Sequence, residues 1–371
     1  MEKTVVKTKE RNVNMDLLRI LSGFLIILLH SIDHSGVLEV ADEGPVPMQL
    51  YIRCIYMLTQ VCVNCYVLLS GYFLVKSKFR LQKLVALWME VVFYSFVIKL
   101  IFMVVGYVPF SVISLISCFM PVFTGRYWFI TIYFGLYLIS PFLNIGIHAM
   151  NKKQHMMLNI LLLFLFSAWI SVHPSIAGMN SGAGWGLAWF VVLYFFAAWF
   201  RLYYQSNQRF VGKLLFWVGI FVGVAVIYVL GRDIPLIETI AENWYRYDSV
   251  SACVATLCLF VAFLNINIEN ELISKIITTI APATLGVYLI HAHAEFSPWS
   301  WEVLNLPAKM DSVLFGLVQV GVVLAIYIGC TVLDLIRMKT VGRVESNKRI
   351  VEICERISKK ISDSFDILQS K

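Results

Sequence analysis

Charge is what this sequence has least of. Lys, Arg, Asp and Glu together make up 14% of the 371 residues, where a soluble globular domain carries nearer a quarter. With 59% hydrophobic residues and a mean hydropathy of +0.77, that shortage excludes a water-soluble fold and leaves an integral membrane protein. A disulfide framework is lacking too. The eight cysteines are scattered at 54, 62, 65, 118, 253, 258, 330 and 354, mostly inside apolar runs, where Cys behaves as a small hydrophobe. Cys62 and Cys65 have C-x-x-C spacing but no nearby His or second pair, so neither a redox motif nor a metal site is expected. Low-complexity linkers, a second soluble domain and an internal repeat are absent as well. The basic start, Lys3, Lys7, Lys9 and Arg11, precedes an apolar run with no small-residue cleavage site after His30, so that run is read as a first span rather than a signal peptide.

What is present is a series of apolar runs long enough to cross a hydrocarbon core of about 30 Å. Ten are expected: 16–32, 50–75, 84–106, 126–148, 156–173, 185–204, 211–231, 249–267, 276–294 and 312–336. The fold class is therefore an all-α, polytopic membrane bundle. The piece 108–122, interrupted by Pro109 and Pro121, is too short and broken to span and reads as re-entrant or interfacial. Ten Trp and seventeen Tyr suit the aromatic belts of a membrane protein.

Loop charge orients the bundle, because cytoplasmic loops carry the excess Lys and Arg. One side holds Lys3 to Arg11, then Lys76, Lys78, Arg80 and Lys83, then Lys152 and Lys153, then Arg201, Arg209 and Lys213, then Lys275. The other holds Asp33, Glu39, Asp42 and Glu43, an uncharged loop near 174–184, a mixed loop from Arg232 to Asp248, and Glu295 to Asp311. An even number of spans with both termini in the cytoplasm satisfies this separation, and the chain is expected in a bacterial cytoplasmic membrane. The net charge of +7 is accounted for by topology, so no nucleic-acid partner is expected. Three regions follow: a basic N-terminus at 1–15, the transmembrane domain at 16–336, and a tail at 337–371. In that tail Ile350, Cys354, Ile357, Ile361, Phe365 and Leu368 recur at helical spacing among basic residues, the pattern of an amphipathic helix on lipid or against the bundle.

The first run, NMDLLRILSGFLIILLHSIDH from Asn14 to His34, carries the most chemistry. Arg19 and His30 are eleven residues apart, almost three helical turns, which sets both on nearly one face about 16 Å apart along the axis. Ionisable groups at membrane depth are costly and face protein or aqueous paths. His30 is the candidate general base, since imidazole titrates near neutrality. Asp33 and His34 follow one turn on, and Asp33 is the candidate to orient His30. Against this stand plainer roles: an interfacial His30, and an Arg19 paired with Asp16 at i−3. Glu90 lies at membrane depth and should be paired or face a cavity, with Lys99 or Arg19 as partners. Ser70, Tyr72, Trp128, Tyr137 and His291 are further candidates for a substrate wall.

Four stretches together resemble the integral-membrane acyltransferase type 3 family: Arg-x10-His from Arg19 to His30, LLSGYFL from Leu68 to Leu74, RYWFITIYFGLYLISPFLN at 126–144, and GVYLIH from Gly286 to His291. Their order covers most of residues 11–336. The resemblance implies transfer of an acyl group, usually acetyl, from cytoplasmic acetyl-CoA to a hydroxyl of an extracytoplasmic glycan, lipid-linked sugar or related acceptor. It implies Arg19, Lys78, Arg80 and Lys83 as the donor site and His30 with Asp33 as the catalytic pair, acting as base or acyl carrier. Ser70, Tyr72, Glu90, Trp128, Tyr137 and His291 would line the substrate path. No metal is expected. The expected partners are carbohydrate and membrane lipid, and a homo-oligomer is compatible with the sequence. No appended hydrolase-like domain is expected, so transfer would finish in the membrane domain or with a separate partner. A secondary transporter or flippase is the alternative, though no broken helix pair at corresponding positions supports it.

Overall fold

A computed structural model describes residues 11–172, 182–206, 210–231, 234, 243–342 and 348–369. Lys3, Lys7, Lys9, Arg209 and Arg232 of the charge pattern, and most of the uncharged loop near 174–184, lie outside the described residues. Among the described residues the regular structure is helical throughout. Helices occur at all ten expected positions, and eight are long and apolar enough to cross a membrane. The chain is a multi-pass membrane protein. The other two, Leu187–Tyr203 and Val250–Leu264, have 17 and 15 residues, about 26 and 23 Å of helix.

The chain opens with α1 (Val13–Asp33), a short α2 (Val37–Glu43), α3 (Val46–Thr59) and α4 (Val61–Leu74). The last two form one span with a break at Gln60. Burial identifies these as the centre: 67% of the apolar window of α1 and 72% of that of Val46–Leu74 are inside the bundle, against 22% for α5 (Leu81–Val104) and 28% for α7 (Trp128–Ala149). The outer helices instead turn Ile101, Val104, Phe142, Leu317 and Ile328 outward, which is where lipid tails replace a protein core. Between α5 and α7 the expected interfacial piece forms a short α6 (Val112–Ser117), with Ile113, Ile116 and Phe123 exposed.

The fifth span, α8, runs Lys152–Val172 with a π-helical segment at Phe164–Ala168. It starts at a capping box in which Asn151 and Gln154 satisfy each other's backbone N–H at 2.9 Å, two donors that would otherwise be orphaned. Then follow α9 (Leu187–Tyr203), α10 (Phe210–Gly231) and α11 (Val250–Leu264), with the Ser249 hydroxyl capping the last. The ninth span is α12 (Glu271–Ile280) joined through a 3-10 turn containing Pro282 to α13 (Thr284–His291). A short α14 (Phe296–Leu304) and the long α15 (Phe315–Thr340) complete the bundle.

Buried polar groups knit the centre together. Asn64 on α4 is fully buried; it donates to the Tyr247 carbonyl at 2.8 Å and accepts from the Trp189 indole at 2.9 Å. That one amide joins α4, α9 and the chain before α11, because a buried amide must find partners. The tail helix α16 (Lys348–Gln369) packs on α5 rather than standing free in solvent. Cys354 is buried there, and the Ser358 hydroxyl accepts the Leu81 N–H at 2.8 Å, satisfying one of the open donors at the start of α5.

Candidate active site

The bundle encloses a cavity of about 570 Å3, within the size range of small-molecule and cofactor sites. Its walls come from α1, α4, α5, α7, the α12–α13 turn and the residues around Trp185 and Tyr247. Arg19 and His30 both line it, so the shared face expected from their spacing opens into one continuous space.

At the Arg19 end the lining includes Ser70, Leu74, Lys83 and Tyr137. Arg19 donates to Asp16 at 2.8 Å, and Arg11 reaches the other oxygen of the same carboxylate at 2.5 Å. Two guanidinium groups on one carboxylate leave a net positive charge at this end, suited to an anionic group. Lys83, in the first turn of α5, adds a second cation at the rim.

At the opposite end three imidazoles gather. His34 stacks on His30 with ring centroids 4.2 Å apart, and His291 lies on another side of His30 at 5.1 Å and 45°. Asp33 approaches His34 at 3.7 Å and is not in contact with His30. The Asp33 and His34 side chains are 41% and 44% exposed, so this carboxylate is too well solvated to act as a buried charge partner for His30. Among the described residues no group of three or more His, Cys, Asp or Glu is placed to hold a metal ion.

A family model for an acyltransferase domain, the type 3 family, matches residues 12–334. The chain belongs to the acyltransferase 3 family. Comparison with curated proteins gives no match, and neither does comparison with solved structures.

In this acyltransferase the cavity gathers Arg19, His30, Asp33, Ser70, Lys83, Trp128 and Tyr137 of the residues singled out from the sequence. Tyr72, Lys78, Arg80, Glu90 and His291 lie outside its lining. Tyr72 faces the other side of α4, where it accepts from Arg201 at 3.2 Å under the guanidinium. Lys78 and Arg80 are exposed; the Arg80 backbone is held by the Tyr137 hydroxyl, which accepts its N–H at 3.2 Å and donates to its carbonyl at 3.0 Å. Glu90 pairs with Arg337 of α15 at 2.9 Å, neither with Lys99 nor with Arg19. Lys99 instead pairs with Glu295, beside which the His293 Nδ1 lies at 2.9 Å. Burial would raise the Glu295 carboxyl, but hydrogen bonds from His293 and Lys99 override it and hold the group down to about 2.

Several lining residues of the acyltransferase are not among those singled out from the sequence. Arg126 lies beside the start of α7 and points its guanidinium toward Glu295 at 3.9 Å and Ser117 at 3.3 Å; a cation ahead of an aromatic span was its only mark. Trp185 stacks on Trp128 at 4.7 Å and 21°, with Tyr247 6.2 Å from Trp185. Trp185 is placed by a turn in which Gly182, Ala183 and Gly184 all have positive φ. At Gly184 a Cβ would come within 2.5 Å of the Tyr247 Cβ, so only glycine allows this approach. Such loop placements have no periodicity to read.

Proposed function

We propose that the protein is a membrane-embedded O-acyltransferase that moves an acyl group, acetyl in the first instance, from cytoplasmic acyl-CoA to a hydroxyl of an extracytoplasmic glycan. The observation that carries this reading is a single cavity lined at one end by Arg19 and Lys83 and at the other by His30. In the orientation given by loop charge the cationic end faces the cytoplasm, and the charged half of the donor would pair there with Arg19 and Lys83. The thin pantetheine arm would lie along the cavity between α1 and α7 and bring its thioester to His30. Proximity and orientation of the two reactants is then the main contribution of the bundle.

In the transfer, the His30 imidazole takes the proton of the acceptor hydroxyl as its oxygen attacks the thioester carbonyl. The C–O bond forms, the C–S bond breaks, and the proton passes from His30 to the departing thiolate. The same ring can instead take the acyl group itself before passing it on, a route revealed by an acid-quenched acyl-histidine. Trp128 and Trp185, with Asp33 and His34 at the same end, would bound the space for a sugar acceptor.

Inside-out membrane vesicles supplied with acetyl-CoA labelled in the acetyl group test the proposal: label should appear as base-labile ester on lumenal glycan. Arg19→Ala should weaken donor binding by about 10- to 100-fold, the worth of one or two charge-assisted hydrogen bonds, in a protein that still folds. Failure of any acyl-CoA to label glycan, together with gradient-driven uptake of a solute, would replace the transferase by a transporter.

A further inference from the structure

A catalytic histidine acting as a base is normally held by a partner on its second ring nitrogen, most often a carboxylate. His30 has no such carboxylate: Asp33 is turned to His34, and His34 presents its ring face, 4.2 Å and 18° from that of His30. What His30 does have is a buried Nδ1 without a hydrogen-bond partner. His291 is the mirror of this. Its Nδ1 lies 2.6 Å from the Val287 carbonyl, and a carbonyl only accepts, so Nδ1 carries the proton and Nε2 is a bare acceptor. That Nε2 is likewise buried without a partner. The two rings are 5.1 Å apart between centroids, a separation from which an edge-to-edge turn of the His30 ring brings a nitrogen of each into hydrogen-bond reach. An unpaired buried polar atom is costly.

We infer that His291 is the positioning residue of His30: its Nε2 accepts the Nδ1 proton of His30, which leaves the lone pair of the His30 Nε2 for the cavity. The inference rests on the acyl-transfer reading for its purpose, though not for its geometry. When the acceptor hydroxyl gives its proton to Nε2 of His30, the resulting imidazolium keeps its Nδ1 proton on His291, which shares the charge. The proton then leaves from Nε2 to the thiolate, and the pair is restored with no net change. Titratable groups beside the pair include His34, whose ring stacks on that of His30, Asp33 next to His34, Tyr247 on the cavity wall, and Tyr288, whose ring meets that of His291 edge-on at 6.1 Å. The backbone explains why His291 can do this: its Nδ1 is bonded one turn back within α13, so its tautomer is fixed before His30 is met.

The test is 15N NMR of the full chain labelled at histidine in lipid nanodiscs at neutral pH, with signals assigned by their loss in His30→Gln and His291→Gln. In the wild type, His30 should carry its proton on Nδ1 and show an unprotonated Nε2. In His291→Ala that tautomer should be lost or averaged, whereas His291→Gln, whose side-chain carbonyl also accepts, should preserve it. A wild-type His30 protonated on Nε2, or a His30 signal unmoved in His291→Ala, overturns the assignment. The readout needs no substrate, so it stands or falls separately from acyl transfer. In the transfer assay itself, His291→Ala should lower kcat at least 10-fold with the donor KM unchanged, and His291→Gln should recover part of the loss. Equal losses in both variants, with wild-type activity present, would also overturn it.

Discussion

At the scale of single residues, the site depends on how α1 presents its few polar groups. Arg19 is tied to Asp16 through one nitrogen, which fixes the guanidinium at the cavity wall while its remaining donors stay available. His30 has imidazoles at 4.2 and 5.1 Å, and the nearby Asp33 carboxylate is paired with His34 instead. Asp33→Asn should therefore reduce acyl transfer by no more than about 3-fold, because the carboxylate acts across a second ring and through solvent. Steady-state rates at equal protein level check this, and a loss of a hundredfold or more would restore Asp33 as the direct partner of His30. The sequence made Arg19 and His30 legible because an ionisable group in an apolar run is conspicuous and helical period then fixes their shared face. It could not make the His30 surroundings legible. Asp33 at i+3 is the nearest carboxylate along the chain, but it lies against His34, while His291 arrives from a helix more than 250 positions away.

At the scale of elements, α13 is held against α15 by shape as much as by polarity. A Cβ on Gly286 would fall 2.2 Å from the Asp334 carboxyl carbon. Asp334 is fully buried, accepts the Tyr94 hydroxyl at 2.7 Å and pairs with Arg337 at 2.7 Å. Gly286→Ala must push this carboxylate out of a network linking α5, α13 and α15. The expected loss is about 3 kcal/mol, between ordinary overpacking and the breaking of a buried ion pair. Thermal unfolding in detergent reads this, and an unchanged midpoint would mean that the helices part without cost. Positions of the helices were readable because length and hydropathy are set by the bilayer. Their partners were not: Glu90 was marked as needing a counter-charge, but Arg337 sits near the end of the last span, and only the packed bundle brings the two to 2.9 Å. The amphipathic stripe of the tail was visible for the same periodic reason, and its seat on α5 is again a tertiary fact.

At the scale of the whole molecule, two central spans form the middle of the bundle, and the inner faces of α5, α7 and α13 close the site around them while the outer faces of α5 and α7 turn to lipid. A cavity reaching from Arg19 to His30 is useful only if its ends meet different compartments, so orientation is part of the proposal. In a background with the eight native cysteines replaced, a membrane-impermeant maleimide added to intact cells should label Val313→Cys and leave Lys275→Cys unlabelled; both positions are exposed and lie at opposite ends of adjoining spans. The reverse pattern would invert the bundle and place His30 with the donor. The loop charges gave this orientation from short-range composition alone, whereas the closure of the cavity by Trp185 and Tyr247 came from loops that no composition rule describes.

The most direct measurement is acyl transfer by membranes containing equal amounts of wild type and His30→Ala, with labelled acetyl-CoA on the cytoplasmic face and ester label counted on glycan. Removal of the general base or acyl carrier should lower the label by about 10^2- to 10^4-fold, with donor binding retained through Arg19. Equal incorporation by the two proteins would contradict the account, since the chemistry would then proceed without the residue on which the cavity converges.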